Sequence, residues 1–170
     1  SANVTITDQG NGATATAVLS ATGTTKTVTL ANGGTGYDVG DVLTITGGTT
    51  TYTVATVDGS GVILTGTVTH GSGYAASANG VASTVSPAGG TGATFDIVVG
   101  KTIQHVTVTA QGADYGNANV TFSGGNPTTP ATATATIGTG ANAGKVTGVV
   151  IVTAGVGYES APSVAITPKG

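Results

Sequence analysis

Acid–base, ligand or nucleophile chemistry in this chain has little to draw on: two His, seven Asp or Glu, four Lys, and no Cys among 170 residues. His70 and His105 stand apart, and neither has a companion at the i, i+4 spacing that builds a zinc site. Asp38, Asp41, Asp58, Asp114 and Glu159 fall near turns where carboxylates could gather a Ca²⁺. None follows the spacing of a calcium loop, so they read as solvated turn acids. Gly59-Ser60-Gly61 is the nearest approach to a nucleophile elbow, but no helical segment follows it, and it reads as a turn. No catalytic constellation, cofactor or metal site is expected, and an enzyme is not the expected class.

What does recur is a glycine–tyrosine segment: Gly34-Thr35-Gly36-Tyr37, Gly71-Ser72-Gly73-Tyr74, Gly112-Ala113-Asp114-Tyr115 and Gly155-Val156-Gly157-Tyr158. Phosphate-cradling loops are also glycine-rich, yet they open a helix and carry a Lys, and these segments do neither. The chemistry expected of Gly36, Tyr37, Gly73, Tyr74, Gly112, Tyr115, Gly157 and Tyr158 is structural. Each Tyr lays its ring over a small core while Gly supplies positive φ. The competing expectation is an exposed ring serving as a platform for sugars.

Strands must position these segments. An alternating or apolar run precedes each Tyr, containing Val28 and Leu30; Ile63 and Val68; Ile103, Val106 and Val108; or Val146, Val149 and Ile151. After the Tyr comes a Val-x-Ile type strand: Leu43 to Thr46, a degenerate copy near Val81 to Val85, Val120 to Ser123, and Ser163 to Thr167; Val4 to Thr7 is the same type. A third type alternates Ala with Thr, at 12–18, 52–57, 92–98 and 131–137, with Ala expected inward and Thr outward. Gly and β-branched residues break every helical window. The expectation is a single all-β domain over 1–170, built of about four tandem three-stranded repeats of roughly 40 residues, at 1–40, 41–78, 79–118 and 119–161, sandwich-like or solenoid-like. One strand, at 162–170, is left over. Val4, Ile6, Val164 and Ile166 are therefore candidate assembly strands, since unpaired sheet edges pair with other chains.

Composition limits the partners. Only 6% of residues are charged against roughly 25% in a typical domain, while Gly supplies 30 and Thr 36. Mean hydropathy is +0.28 and the net charge −3, and no apolar run approaches the roughly 20 residues of a membrane-spanning helix. Lys26, Lys101, Lys145 and Lys169 are scattered and form no basic stripe, so no nucleic-acid partner is expected. Asn3-Val4-Thr5 and Asn119-Val120-Thr121 are formal glycosylation acceptors whose recurrence the repeat already explains.

The run Gly155-Val156-Gly157-Tyr158-Glu159-Ser160-Ala161-Pro162-Ser163-Val164-Ala165-Ile166, its variant from Gly34 to Ile45, and the Gly-Ala-Thr-Ala-Thr segment at 12–16 resemble the Gly/Thr-rich tandem repeats of tailed-bacteriophage virion proteins. The resemblance implies a non-enzymatic structural role in a virion or outside a cell, as a capsid decoration or a head or tail fibre subunit. Its partners would be other copies of itself and a capsid or tail protein. A carbohydrate-binding adhesin presenting Tyr37, Tyr74, Tyr115 and Tyr158, or the subunit of a bacterial extracellular filament, are the alternatives.

Overall fold

The computed structural model describes residues 9–87 and 89–170. The strands are β1 (Asn11–Leu19), β2 (Gly23–Thr35), β3 (Val42–Ile45), β4 (Thr51–Val57), β5 (Ile63–Thr69), β6 (Ser72–Tyr74), β7 (Ala78–Ser86), β8 (Thr91–Gly100), β9 (Ile103–Ala113), β10 (Ala118–Ser123), β11 (Thr132–Ile137), β12 (Val146–Thr153) and β13 (Ser163–Pro168). Among the described residues a single 3₁₀ turn at Gly140–Asn142 is the one helical element. The all-β expectation holds, and the three strand types found by alternation are each present as strands.

The chain divides into two compact units. One is continuous, Ala21–Lys101, and is called here the inserted unit. The other is split into Ser1–Ser20 and Thr102–Gly170. Each contains an antiparallel sheet, with order β5-β4-β3-β7-β8-β2-β6 in the inserted unit and β12-β11-β10-β13-β1-β9 in the split unit. The first six strands correspond place for place, so β1 holds in the split unit the place that β8 holds in the inserted one. Register agrees as well. Phe95 opposes Leu30 and Ile97 opposes Val28, just as Ala15 opposes Val108 and Ala17 opposes Val106. Both pairings slip at matching points, Leu30/Asn32 and Thr14/Ala15.

Each sheet curls on itself. In the inserted unit Gly36 N–H donates to Ser60 C=O (3.1 Å) and Tyr37 N–H to Gly61 C=O (2.9 Å), drawing the end of β2 to the β4–β5 turn. In the split unit Tyr115 N–H donates to Gly144 C=O and Ile103 N–H to Ala154 C=O, both at 3.0 Å, drawing β9 to the two ends of β12. The expectation is sandwich-like or solenoid-like; two curled antiparallel sheets of a sandwich- or barrel-like kind are observed.

The strand at Val164 and Ile166 corrects an expectation. The expected surplus strand, free to pair elsewhere, is instead β13, and it lies inside the sheet. Val164 opposes Phe122 of β10 on one side and Ala15 of β1 on the other. The physical reason is that β1, from the far end of the sequence, completes this sheet. Val4 and Ile6 lie outside the described residues.

Core size separates the units. The inserted unit packs Leu43, Ile45, Val54, Ile63, Phe95, Ile97 and Val99 with three tyrosines into one cluster, in which the Tyr52 and Phe95 rings lie 5.0 Å apart. The split unit has two smaller clusters, one around Ile103, Val106 and Tyr158, the other around Tyr115, Val146 and Ile166. Its β1 and β11 turn Ala inward, half-buried for the most part, and exposed Thr outward. Where β8 presents Phe95 and Ile97, β1 presents Ala15 and Ala17. At about 1.5–3 kcal/mol per fully buried large side chain, Phe95 and Ile97 contribute about 3–6 kcal/mol of apolar burial to β8, and the two alanines of β1 contribute less.

Candidate functional site

The four motif tyrosines are buried, at 3%, 2%, 3% and 1% exposure for Tyr37, Tyr74, Tyr115 and Tyr158. Their hydroxyls all do one thing. The Tyr37 oxygen accepts the Ala93 N–H (3.3 Å), Tyr74 that of Thr50 (3.2 Å), Tyr115 that of Ala13 (3.3 Å) and Tyr158 that of Ala131 (2.8 Å). Every acceptor therefore meets a backbone donor within or just before an Ala/Thr-type strand: β8, β4, β1 and β11. The Tyr74 hydroxyl also donates to Ile45 C=O at 2.9 Å. Each ring thus ties its own segment to a second strand by accepting a backbone N–H, buried in three cases and part-buried at Ala13.

Glycine makes room for the rings. A Cβ on Gly90, Gly48 or Gly10 would overlap the ring of Tyr37, Tyr74 or Tyr115 respectively, and one on Gly125 would come within 2.8 Å of the Tyr158 ring. Gly34, Gly112 and Gly155 recur with φ of +60°, +63° and +64°, the left-handed backbone that turns the chain under its Tyr. At the position of Gly36 the Tyr115 segment has Asp114, also left-handed at φ 62°. Asp is among the few residues that tolerate this conformation.

Burial overturns the sugar-platform expectation, because a ring inside the core has no face to offer a ligand. The structural reading is the one observed: Tyr37, Tyr74, Tyr115 and Tyr158 are buried, and Gly36, Gly73, Gly112 and Gly157 take positive φ. Sequence reasoning missed the tyrosines' partners, Ala13, Thr50, Ala93 and Ala131. Part of the signal was present, since Ala13, Ala93 and Ala131 stand at the start of their Ala/Thr segments, whereas Thr50 falls two residues before the segment at 52–57.

The remaining polar residues do local work. His70 Nδ1 lies 3.0 Å from Thr25 Oγ1, which is 2.9 Å from Thr50 Oγ1, itself the acceptor for Gly71 N–H. His105 is an exposed residue of β9 opposite Val18. Asp41 accepts the Asp38 N–H, and Glu159 accepts from the Asn126 amide at 2.8 Å. Asp58 accepts from Val62 and Ser60 N–H groups, and these bonds, Val62 foremost, hold its carboxyl below the usual range. Among the described residues no three His, Asp or Glu gather as metal ligands, and no helix is long and apolar enough to cross a membrane.

The surface carries the other recurrent feature. Outward threonines pair across strands, Thr14 with Thr109, Thr56 with Thr65 and Thr132 with Thr153, at 2.6–2.7 Å between hydroxyls. The corresponding outer strands β5 and β12 expose Leu64 (57%), Val150 (58%) and Val152 (63%). The unbroken run Val149-Val150-Ile151-Val152 was the sequence signal for the last two, since a half-buried strand should alternate. Compared with family models, with curated proteins and with solved structures, the chain matches none of them.

Proposed function

We propose that this chain is a non-enzymatic structural protein that assembles with copies of itself, in the manner of a capsid decoration or a head or tail fibre subunit of a phage virion. The observation that carries the reading is the outward face: threonine pairs with almost no charge, bordered on β5 and β12 by exposed Leu64, Val150 and Val152. Such a face has little like-charge repulsion to overcome when two copies approach, and apolar residues on outer strands gain by being covered. The recurrence of one tyrosine bond in four places supports an organisation in four repeats of about 40 residues. A bacterial extracellular filament would use the same contacts, and the native particle distinguishes the two. The adhesin reading loses its platforms with the burial of the four rings.

Negative-stain electron microscopy over a concentration series, read beside the mass in solution, tests this. Ordered fibres, tubes or closed oligomers are expected, with Val150→Lys and Val152→Lys weakening them. A dispersed monomer at every concentration overturns the self-assembly.

A further inference from the structure

The place that β1 fills is not filled by its neighbours in sequence. Its counterpart β8 follows β7 directly and pairs with it, Ala78 opposite Ile97, Val81 opposite Phe95 and Ala82 opposite Thr94. Ser77 Oγ and Asp96 Oδ1 fasten the same seam through the Val99 and Gly80 N–H groups. By contrast β1 is separated from its main partner β9 by the whole inserted unit, Ala21–Lys101. It meets β13 at two positions, Ala15–Val164 and Thr16–Ser163. Beyond them Pro162, which has no N–H to give, leads the chain away, and a groove of about 500 Å³ opens along Ala15, Ala17, Ala161, Pro162 and Val164.

The sequence adds a second fact. Val4-Thr5-Ile6-Thr7 with Gly10 repeats Val164-Ala165-Ile166-Thr167 with Gly170. The sequence that precedes β1 is therefore similar to that of the strand that flanks it in space, β13, supplied from the other part of the chain. What the slot between β9 and β13 recognises is the β1 sequence, not the fact that it belongs to the same molecule.

From this we infer that the slot is the joint between subunits: β1 of one copy fills the β9/β13 slot of another. The inference rests on the self-assembly reading above and names the segment responsible. The occupant is a second copy of this chain because only β1 brings every partner the slot holds. It carries Ala13 for the Tyr115 hydroxyl, Thr14 for Thr109 and Ala17 for Val106, and Ser20 just after it donates its N–H to Thr102 C=O. Exchange reproduces each of these contacts between copies, so it sacrifices none of them, and concentration and the short Ser20–Thr22 connection set the balance. Because donor strand and acceptor slot are different surfaces, the joint is head-to-tail, and copies add in a ring or an open chain.

Cysteines placed in a chain that has none read this directly. Thr14 and Thr109 are exposed with hydroxyls 2.7 Å apart, close enough for a disulfide after substitution. One variant carries Thr14→Cys and another Thr109→Cys; the two are mixed in denaturant, refolded together at high concentration and oxidised. Disulfide-linked pairs joining the two variants are expected. None is expected from Thr132→Cys mixed with Thr153→Cys, whose hairpin strands β11 and β12 stay in one copy. The double variant Thr14→Cys/Thr109→Cys, oxidised as a monomer, is expected to stay monomeric until reduced. Thr16→Cys with Thr107→Cys, facing register partners, provides an independent pair should the first perturb folding. Assemblies that form without a link between the two variants overturn strand exchange and leave assembly through the outer strands standing. Neither assemblies nor links would overturn both.

Discussion

The inserted and split units solve one packing problem with different materials. Both have the same strand order, matching register slips and the same two tyrosine bonds, Tyr37 with Tyr74 in one and Tyr115 with Tyr158 in the other. At corresponding inward positions the inserted unit sets Phe95, Ile97, Tyr52 and Val54, whereas the split unit sets Ala15, Ala17 and Ala135 and the half-buried Ala133. The same strand order is therefore compatible with large side chains or with alanines at these four positions, the split unit keeping its larger apolar residues on other strands, Ile103, Val106, Val146 and Ile166 among them. The unit with less apolar burial is also the one whose closing strand comes from elsewhere in the chain.

The comparison breaks most sharply at Phe95. Phe95→Ala makes the β8 inner face like that of β1, and removal of a fully buried ring costs about 3–5 kcal/mol. Guanidinium unfolding of the variant should show the inserted unit losing its advantage and melting with or before the split unit. A loss below about 1 kcal/mol would mean that the large core is dispensable and that the two units differ for another reason.

Next in size are the tyrosine bonds. Tyr158→Phe keeps the ring and leaves the Ala131 N–H without its 2.8 Å acceptor, which should cost about 1–3 kcal/mol. Tyr37→Phe and Tyr115→Phe, at equivalent places with bonds of 3.3 Å, should cost similar amounts to each other in urea unfolding. If one is neutral and the other severe, the units do not share this device in the energetic sense. Tyr→Ala changes at the same places should unfold the unit concerned, since each ring fills space that glycines leave for it.

Much of this was legible in the sequence because strand alternation is local. The Ala/Thr run at 12–18 and the Val-x-Ile run at 163–167 fell where β1 and β13 lie, and the buried role of the four tyrosines followed from glycines that could only be turns. What was not legible is non-local. No pattern in 11–19 says that β9, more than 80 residues on, will be its neighbour, so Val164 was read as a strand left over. The tyrosine acceptors were missed for the same reason, as Tyr115 and Ala13 are 102 residues apart. The exposed valines of β12 were legible only as a break in alternation from Val149 to Val152, which does not say which of these residues face outward.

A smaller change should narrow the gap between the units from the other side. Ala15 borders the groove beside β13, so Ala15→Val adds two carbons to a half-buried site with space beside it. At about 0.8 kcal/mol per buried CH₂, discounted for partial exposure, the split unit should gain about 1 kcal/mol, read as a higher midpoint for its transition alone. By holding β1 more firmly in its own copy, the same change should slow the exchange of that strand between copies.

The smallest effect is one of pH, and it falls on one turn. The β4–β5 turn of the inserted unit holds Asp58, whose carboxylate accepts the Val62 and Ser60 N–H groups; the β11–β12 connection of the split unit is a 3₁₀ turn, Gly140–Asn142, with no acid in it. Because the folded pKa of Asp58 lies below its unfolded value near 3.8, the carboxylate favours the folded turn fully above that value, and the contribution is lost as pH falls through the lowered pKa. Amide hydrogen exchange should therefore quicken at Ser60 and Val62, relative to the acid-free turn, as pH drops below about 4. In Asp58→Asn the amide oxygen still accepts but carries no charge, so exchange at these two amides should be faster at neutral pH and lose its acid step. An unchanged acid step in that variant would trace it to another carboxylate and remove the electrostatic difference between the two turns.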